Sequence, residues 1–327
     1  MPLISVIISV YNGENTIRET IESILNQTFR DFELIIINDG STDSTLDIIS
    51  SILDSRIQVF SYANAGLNVS RNRGISRANG EYISLIDADD LWTVDKLELQ
   101  FKALQENPDA AVAYSWTDYI DENGQFLRSG PHHSFTGDVF VQLLLADFVG
   151  SGSNPLIRKQ AFAEVGDFDS SIKGCQDLDM WVRLARRYPF VVVPSVQILY
   201  RQYATSWSAN SRRQEAGFLR LLEKALADAP ESVKKLKNDM IGNRYKSLII
   251  DALSKAEGRD RALLAAQYLG SAIRHDPRLL RSRILPTLLF VIGTRLVLPP
   301  QQAKLFLNRY KNFSNIYGIF GYTRWSV

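Results

Sequence analysis

Apolar runs that alternate with helix-like segments constrain the fold of this chain more than any other sequence feature. The first run, over residues 3–10, is rich in Ile and Val, which is typical of a strand buried on both faces. Further strands are predicted over 33–37, 57–60 and 82–86, with helices over 14–27, after the turn at 39–43, and over 67–78. This β-α-β-α-β-α-β order indicates an α/β fold whose mostly parallel sheet is flanked by helices.

The second half of the chain is predicted to change character. The patterns there indicate a helix over about 94–106, a strand near 110–115, an irregular segment over 121–154, a helix over 177–187 and a strand over 190–193. From about residue 211 the spacing is almost wholly helical. We therefore expect an α/β domain over 1–205, with halves 1–100 and 101–205, and a helical C-terminal region over 206–327.

The charges of the chain are unevenly distributed. Residues 1–272 hold 28 basic and 35 acidic residues, whereas residues 273–327 hold nine basic residues and one acid. The net negative charge of residues 1–272 argues against a nucleic-acid partner, because a nucleic-acid-binding domain would carry clustered basic residues. The single cysteine, Cys175, excludes an internal disulfide, and residues 1–5 lack the basic region of a signal peptide. We expect a cytoplasmic protein.

Polar residues follow three of the predicted strands. Residues 11–13, 38–40 and 87–89 each come directly after an apolar run, and ligands bind beyond the carboxyl ends of the strands in open α/β sheets. The usual nucleotide motifs are missing, because the chain has neither a Gly-x-Gly-x-x-Gly turn nor a Gly-x-x-x-x-Gly-Lys loop. Three His and one Cys also make a zinc site a poor fit.

Asp87 and Asp89 are the most informative pair in the sequence. In an extended segment, residues i and i+2 point the same way, so both carboxylates face one spot. A divalent cation would relieve their repulsion, and oxygen ligands suit Mg²⁺ or Mn²⁺. Such an ion can bridge a diphosphate and neutralise a departing phosphate group. The alternative is a solvated acidic turn that precedes the next helix.

Three further side chains have both a functional and a structural interpretation. Asp177, in the first turn of a predicted helix, is either a general base for a hydroxyl group or an acid that satisfies the helix dipole. Trp181, one turn later, either stacks on a sugar or belongs to the core. Arg71 and its neighbour Arg73 either bind phosphate or lie solvated on a helix.

Several segments resemble the family-2 glycosyltransferases of the GT-A fold, a Rossmann-like α/β architecture. They are SVIISVYN at 5–12, QTFRDFELIIINDGSTD at 27–43, SRNRG at 70–74, LIDADDLW at 85–92, KLE at 96–98 and QDLDMWVRL at 176–184. The resemblance covers about the first two thirds of the chain. It implies that residues 1–100 bind a nucleotide-sugar donor, that 101–205 face the acceptor, and that Mn²⁺ or Mg²⁺ is the cofactor.

The resemblance also implies roles for individual residues. Tyr11 and Asp39 would hold the nucleoside base, usually uracil, and Arg71 would lie near the base or the phosphates. Val10, Asn12 and Ala88 would complete the nucleotide site, with Asp87 at the ribose and phosphates and Asp89 on the metal. Asp177 would be the catalytic base of a single inverting displacement, and Gln176 and Trp181 would line the acceptor site.

Two positions depart from the family pattern. Gln176 stands where members often have Glu, and Tyr203 stands in the His position of a Tyr-Arg-x-His motif. Because of these departures, one alternative is that the chain is a catalytically silent scaffold that binds a nucleotide. A sugar nucleotidyltransferase is the other alternative, although segment 11–15 supplies only one of the glycines that it would need. The predicted activity is sugar transfer to a carbohydrate or glycolipid acceptor in cell-envelope polysaccharide assembly.

Residues 273–327 combine basic and aromatic residues. They include the nine Lys and Arg together with Phe290, Phe306, Tyr310, Phe313, Tyr317, Phe320, Tyr322 and Trp325. This composition is typical of an element on a membrane surface, here the inner face of the cytoplasmic membrane. The apolar stretch over 284–298 is shorter than the roughly 20 residues of a spanning helix. The alternative is a helical lid that packs on the catalytic domain or on a second subunit of a homo-oligomer.

Overall fold

The computed structural model describes residues 1–203, 210–254, 258–310 and 314–325. Nine strands, β1–β9, lie in one sheet within these ranges. They are Ile4–Val10, Phe32–Asn38, Ile57–Ser61, Tyr82–Asp87, Leu91–Trp92, Val112–Ile120, Phe126–Ser129, Leu156–Arg158 and Phe190–Arg201. All strands predicted from the sequence are present.

The sheet order is β3-β2-β1-β4-β8-β6-β9-β5, with β7 paired to β6. The first four strands are parallel, and β6 and β9 are also parallel. The short strand β8 runs antiparallel to β4 and β6. The predicted α/β class is therefore confirmed, and the second half of the sheet is more mixed than the first.

The helices α1–α13 lie among the strands in the first part of the chain and follow one another after β9. They are Ile17–Leu25, Thr45–Ser50, Leu67–Arg77, Lys96–Glu106, Phe140–Leu145, Lys159–Val165, Gln176–Ala185, Ser211–Ala227, Glu231–Lys234, Lys237–Ser254, Arg259–His275, Ile284–Val297 and Pro300–Arg309. Two 3₁₀ segments, Pro277–Arg281 and Ile316–Tyr322, lie among the last helices. No helix in the described ranges is long and apolar enough to cross a lipid bilayer.

Two expectations for the middle of the chain need correction. The segment over 121–154, predicted as irregular, contains β7 and α5. The strand predicted over 190–193 extends twelve residues as β9, because it pairs with the whole of β6. Its outer half carries polar and half-buried residues, which hide a strand from a search for apolar runs.

The chain divides into two compact units. The first consists of Met1–Leu143, Asp147–Ser171 and Gln176–Gln202. Its core is formed by the Ile and Val side chains of β1, β2 and β4 with the apolar faces of α1 and α4. The predicted boundary between residues 205 and 206 lies outside the described residues.

The second unit is formed by the described residues after Gln202 together with the short segments 144–146 and 172–175. Its core joins α10, α11 and α12. One buried ion pair lies inside it, where Lys246 Nζ donates to Asp276 Oδ2 at 2.8 Å and to the carbonyl of Tyr322 at 2.7 Å. Burial alone would raise the pKa of Asp276, but hydrogen bonds from Lys246 and Arg278 outweigh it and lower the pKa to about 2.

Candidate active site

The carboxyl ends of β1, β2 and β4 meet at one edge of the sheet. The parallel register pairs Val10 with Asn38 and Ser9 with Asp87. The residues that follow these strands therefore lie side by side, as the sequence predicted. This edge brings together the nucleotide-site and metal-site candidates, which are Val10, Tyr11, Asn12, Asp39, Asp87, Ala88 and Asp89.

Hydrogen bonds join the loop after β1 to the loop after β2. The backbone N–H of Asn12 donates to Ser41 Oγ at 3.0 Å, and the N–H of Thr42 donates to Asn12 Oδ1 at 2.8 Å. The N–H of Gly13 donates to Thr45 Oγ1 at 2.8 Å. Asn12 has a φ of 51°, a left-handed conformation that Asn tolerates better than most residues. These two loops form a continuous rim, which we call the donor rim.

Tyr11 and Asp39 differ in exposure. The Tyr11 side chain is 54% exposed and its ring is open to a ligand, whereas Asp39 is buried. The Asp39 carboxylate accepts hydrogen bonds from the N–H groups of Ala65 at 3.0 Å and Gly66 at 2.8 Å, and it pairs with Arg73. Asp39 thus fixes the loop before α3. A carboxylate has lone pairs to spare after two such bonds.

Arg71 on α3 joins the candidate base, Asp177, to Asp87 of the candidate nucleotide and metal site. Its side chain is only 2% exposed, and Nη2 lies 2.8 Å from Asp87 Oδ1 while Nη1 pairs with Asp177 Oδ1. Burial lowers the pKa of the guanidinium, but the two carboxylates outweigh it and raise the pKa. Gly74, one turn later, allows α3 to pack closely on β1, since a Cβ there would collide with Ile7.

Gly152 completes this arrangement and was missed by the sequence analysis. A Cβ at this position would lie 2.6 Å from Arg71 Nη2 and 2.8 Å from Asp177 Oδ1. A larger residue here would have to displace the ends of these two side chains. Burial raises the pKa of Asp177, the charges of Asp87 and Asp147 raise it further, and Arg71 lowers it, with a net increase. A raised pKa is the direction of shift that suits a general base.

Asp89 lies in a setting that disfavours its ionised form. Burial and the charge of Asp87 raise the pKa of Asp89 to about 7, against a lowering by Arg201. A divalent cation would offset both effects, so this donor pair fits an oxygen-ligated metal. No group of three or more His, Cys, Asp or Glu side chains arranged to hold a metal occurs in the described part of the chain.

Asp90 is a second residue of this site that the sequence analysis did not single out. It is fully buried and accepts hydrogen bonds from Ser153 Oγ, from Ser151 Oγ at 3.2 Å and from the N–H of Arg201 at 3.0 Å. Burial and the neighbouring charges of Asp89 and Asp87 raise the pKa of its carboxyl group. Its place beside the Asp pair was the only signal for this role. Asp90 anchors the loop that presents that pair.

Arg201 holds the same loop from the other side. Its Nε donates to the carbonyl of Asp89 at 2.9 Å, and its Nη2 lies 2.8 Å from Glu19 Oε2. A third contact joins Nη1 to the carbonyl of Glu122 at 3.0 Å. The guanidinium is 2% exposed, which places a fixed positive charge directly behind the acidic loop. The Arg of the family motif therefore has a structural explanation here.

The acceptor-site prediction for Trp181 is not compatible with the structure. Its side chain is 1% exposed, so the ring cannot stack on a sugar, and the core alternative is correct. The physical reason is that α7 buries most of its surface, including Leu178, Met180 and Leu184. Gln176, at the start of the same helix, is half-buried, and its acceptor role stays a prediction.

Residues 5–242 match the family model described as glycosyltransferase like family 2. An uncharacterized glycosyltransferase of Rickettsia bellii is 39% identical over 191 residues, which is 56% of this chain. The chain spans only 26% of the length of that relative. TuaG of Bacillus subtilis, a candidate teichuronic acid biosynthesis glycosyltransferase, is 40% identical over 121 residues, covering 36% of this chain and 47% of TuaG.

A solved structure shares the fold at low sequence identity. The crystal structure of residues 1–349 of S. aureus TarS in complex with UDP-GlcNAc aligns with a TM-score of 0.64 and 16% identity. The alignment covers 96% of this chain and 91% of that one. At this identity the match supports the GT-A fold that the motifs predicted.

Proposed function

This chain belongs to the glycosyltransferase like family 2 proteins, and on that premise we propose that it is an inverting glycosyltransferase. Its donor would be a nucleotide diphosphate sugar, with UDP favoured, and its acceptor a hydroxyl group of a carbohydrate or glycolipid. The observation that carries this proposal is the Arg71 bridge, because it sets the candidate base Asp177 beside Asp87 at the candidate donor site.

The reaction that we propose is a single displacement. Asp177 takes the proton from the acceptor hydroxyl, the oxygen attacks the anomeric carbon, and the bond to the nucleoside diphosphate breaks. One carboxylate base suffices, unlike the pair in a glycosidase. Arg71 would keep the Asp177 carboxylate oriented toward the acceptor, and Tyr11 and Asp39 would hold the nucleoside base at the donor rim.

The proposed cofactor is Mn²⁺ or Mg²⁺. Asp89, with Asp87, would hold the ion, and the buried Asp90 and Arg201 would keep their loop in place. When bound, the cation supplies positive charge for the departing diphosphate.

The biological setting is also a proposal. The teichuronic acid role named for TuaG and the UDP-GlcNAc bound to TarS support envelope polysaccharide assembly from a UDP-sugar. We place the protein in the cytoplasm, with a peripheral contact at the inner membrane face.

A thermal-shift screen against nucleotide diphosphates and their sugars, with and without Mn²⁺, tests the donor site. A ligand at 100 times its Kd stabilises the native state by about 2.7 kcal/mol. We expect a metal-dependent shift with UDP or a UDP-sugar, absent in Asp89→Ala, and release of UDP when acceptor is added. Binding without turnover over a range of acceptors would favour the silent scaffold, and no shift with any nucleotide would contradict the donor site.

A further inference from the structure

Helices α12 and α13 expose an apolar surface. Its members are Leu289 on α12 and Leu305, Phe306 and Tyr310 on and just after α13, together with the half-buried Phe290 of α12, which also packs against the core. We call this set the aromatic patch. Leu305 is 72% exposed and Leu289 55%, while Tyr310 and Phe306 are each about two fifths exposed. Single exposed apolar residues are common on soluble proteins, but a contiguous group marks an interaction site.

The three rings of the aromatic patch touch one another. The ring centroids of Phe306 and Tyr310 are 5.0 Å apart, those of Phe290 and Phe306 are 6.0 Å apart, and those of Phe290 and Tyr310 are 6.4 Å apart. These are ordinary distances for packed aromatic pairs. The patch is therefore preformed on the surface, and little side-chain entropy is lost when a partner covers it.

The charge around the aromatic patch selects the kind of partner. Residues 277–327 contain eight Lys and Arg and no Asp or Glu. Arg283 and Arg309, which adjoin α12 and end α13, are exposed. An anionic lipid bilayer has negatively charged headgroups over an apolar interior. Exposed aromatic and aliphatic side chains within a basic segment match both layers of such a surface.

We propose that the aromatic patch binds the surface of an anionic membrane, independently of the transfer reaction. Leu289, Leu305 and the rings would enter the interfacial layer, while Arg283 and Arg309 would meet the lipid headgroups. Helix α12 has 14 residues, which is roughly 21 Å and short of the ~30 Å hydrocarbon core, so it would lie on the bilayer. Of the aromatic residues predicted for this role, Phe313 lies outside the described residues.

Vesicle flotation of the full chain tests the proposal, with phosphatidylcholine vesicles compared to vesicles that also contain phosphatidylglycerol. We expect the protein to float with the anionic vesicles and to release at high salt. The double variant Leu305→Ser/Phe306→Ser should weaken binding by about tenfold or more, because it removes apolar area from the contact. Arg283→Gln and Arg309→Gln should each weaken it by about fivefold.

Leu53→Ser is the matched control, since Leu53 is 96% exposed but lies in the other unit. Its binding should equal that of the unchanged protein, and thermal midpoints should show that every variant is folded. Equal flotation of the double variant and the unchanged protein would overturn the proposal, as would no flotation with anionic vesicles. A change from dimer to monomer in the double variant, with no effect on flotation, would assign the patch to a second copy of the chain.

Discussion

Arg71 Nη2 lies 2.8 Å from Asp87 Oδ1, and the same guanidinium pairs with Asp177, so one buried cation serves two acids from distant parts of the sequence. A guanidinium presents its donors in a fixed planar fork, whereas an ammonium group is a compact charge on a flexible stem. The donor and acceptor sides of the proposed reaction are thus linked by a single side chain.

Arg71→Lys should lower kcat by about 100-fold with a smaller change in donor KM, because the lysine keeps the charge but lacks the rigid planar fork that orients both carboxylates. Steady-state assays of UDP release would measure the two constants separately. Arg73→Lys is the control, since Arg73 is partly exposed and its pairing with Asp39 is longer, at 3.3 Å. Near-normal kcat in Arg71→Lys would show that the bridge is not required.

Asp177→Asn should abolish transfer while donor binding persists. Loss of a general base costs about 10²–10⁴ in rate. The neighbouring acid Asp179 provides a contrast, because it is buried and pairs with Arg183 at 3.0 Å. Asp179→Asn should therefore reduce the free energy of unfolding and leave the activity of the folded protein intact. Urea unfolding and turnover should be measured on both variants. Loss of activity in folded Asp179→Asn, with near-normal activity in Asp177→Asn, would contradict the assignment of the base.

Gly152→Ala should disrupt the ion pair without unfolding the protein. The added methyl group would sit 2.6 Å from Arg71 Nη2, too close for the bridge to keep its geometry. We expect activity to fall by about tenfold or more. Gly270→Ala in α11 is the matched control, because a methyl group there would meet no atom within 4 Å and alanine favours a helix by about 1 kcal/mol. Equal activity in both variants would argue against the packing role of Gly152.

Trp181→Phe should destabilise the protein by about 1–3 kcal/mol, as expected when a buried side chain is shortened. The KM for acceptor should stay unchanged, because the ring does not reach the surface. Chemical denaturation and acceptor titrations on the same preparation measure both quantities. A large rise in acceptor KM with unchanged stability would restore the sugar-stacking role.

Acid should weaken the second unit through Asp276. Its pKa is lowered from 3.8 to about 2 in the native state, so the native protein binds this proton less readily than the unfolded chain. The resulting stability, about 2 kcal/mol, is present above pH 4 and is lost as the pH falls from about 4 to 2. Urea unfolding of the unchanged protein and Asp276→Asn should therefore differ at pH 5 and converge toward pH 2. A constant difference over that range would contradict the assignment.

The sequence predicted those parts of the fold and site that depend on local pattern. The buried strands β1, β2 and β4 are continuous apolar runs, and the polar residues that follow them had to meet at one edge of a parallel sheet. The outer half of β9 has no such pattern and is defined only by its pairing with β6.

Contacts between segments that are distant in the chain could not be predicted from the sequence. The pairing of Arg71 with Asp177 joins residues 106 positions apart, and the clearance at Gly152 depends on where those two side chains meet. Trp181 could be assigned to the core only once the other faces of α7 were placed, since an aromatic residue on a helix is equally compatible with either environment.

The hydrogen-bonded donor rim has a consequence for how a nucleotide would be captured. Asn12, Thr42 and Gly13 already have backbone and side-chain partners within the protein itself. The binding surface for a nucleotide is therefore preorganised, so the entropy cost of ordering these loops on binding would be small. A rigid rim would select nucleotides by excluding those whose shape does not fit. Calorimetry would then record only a small heat-capacity change from folding coupled to binding.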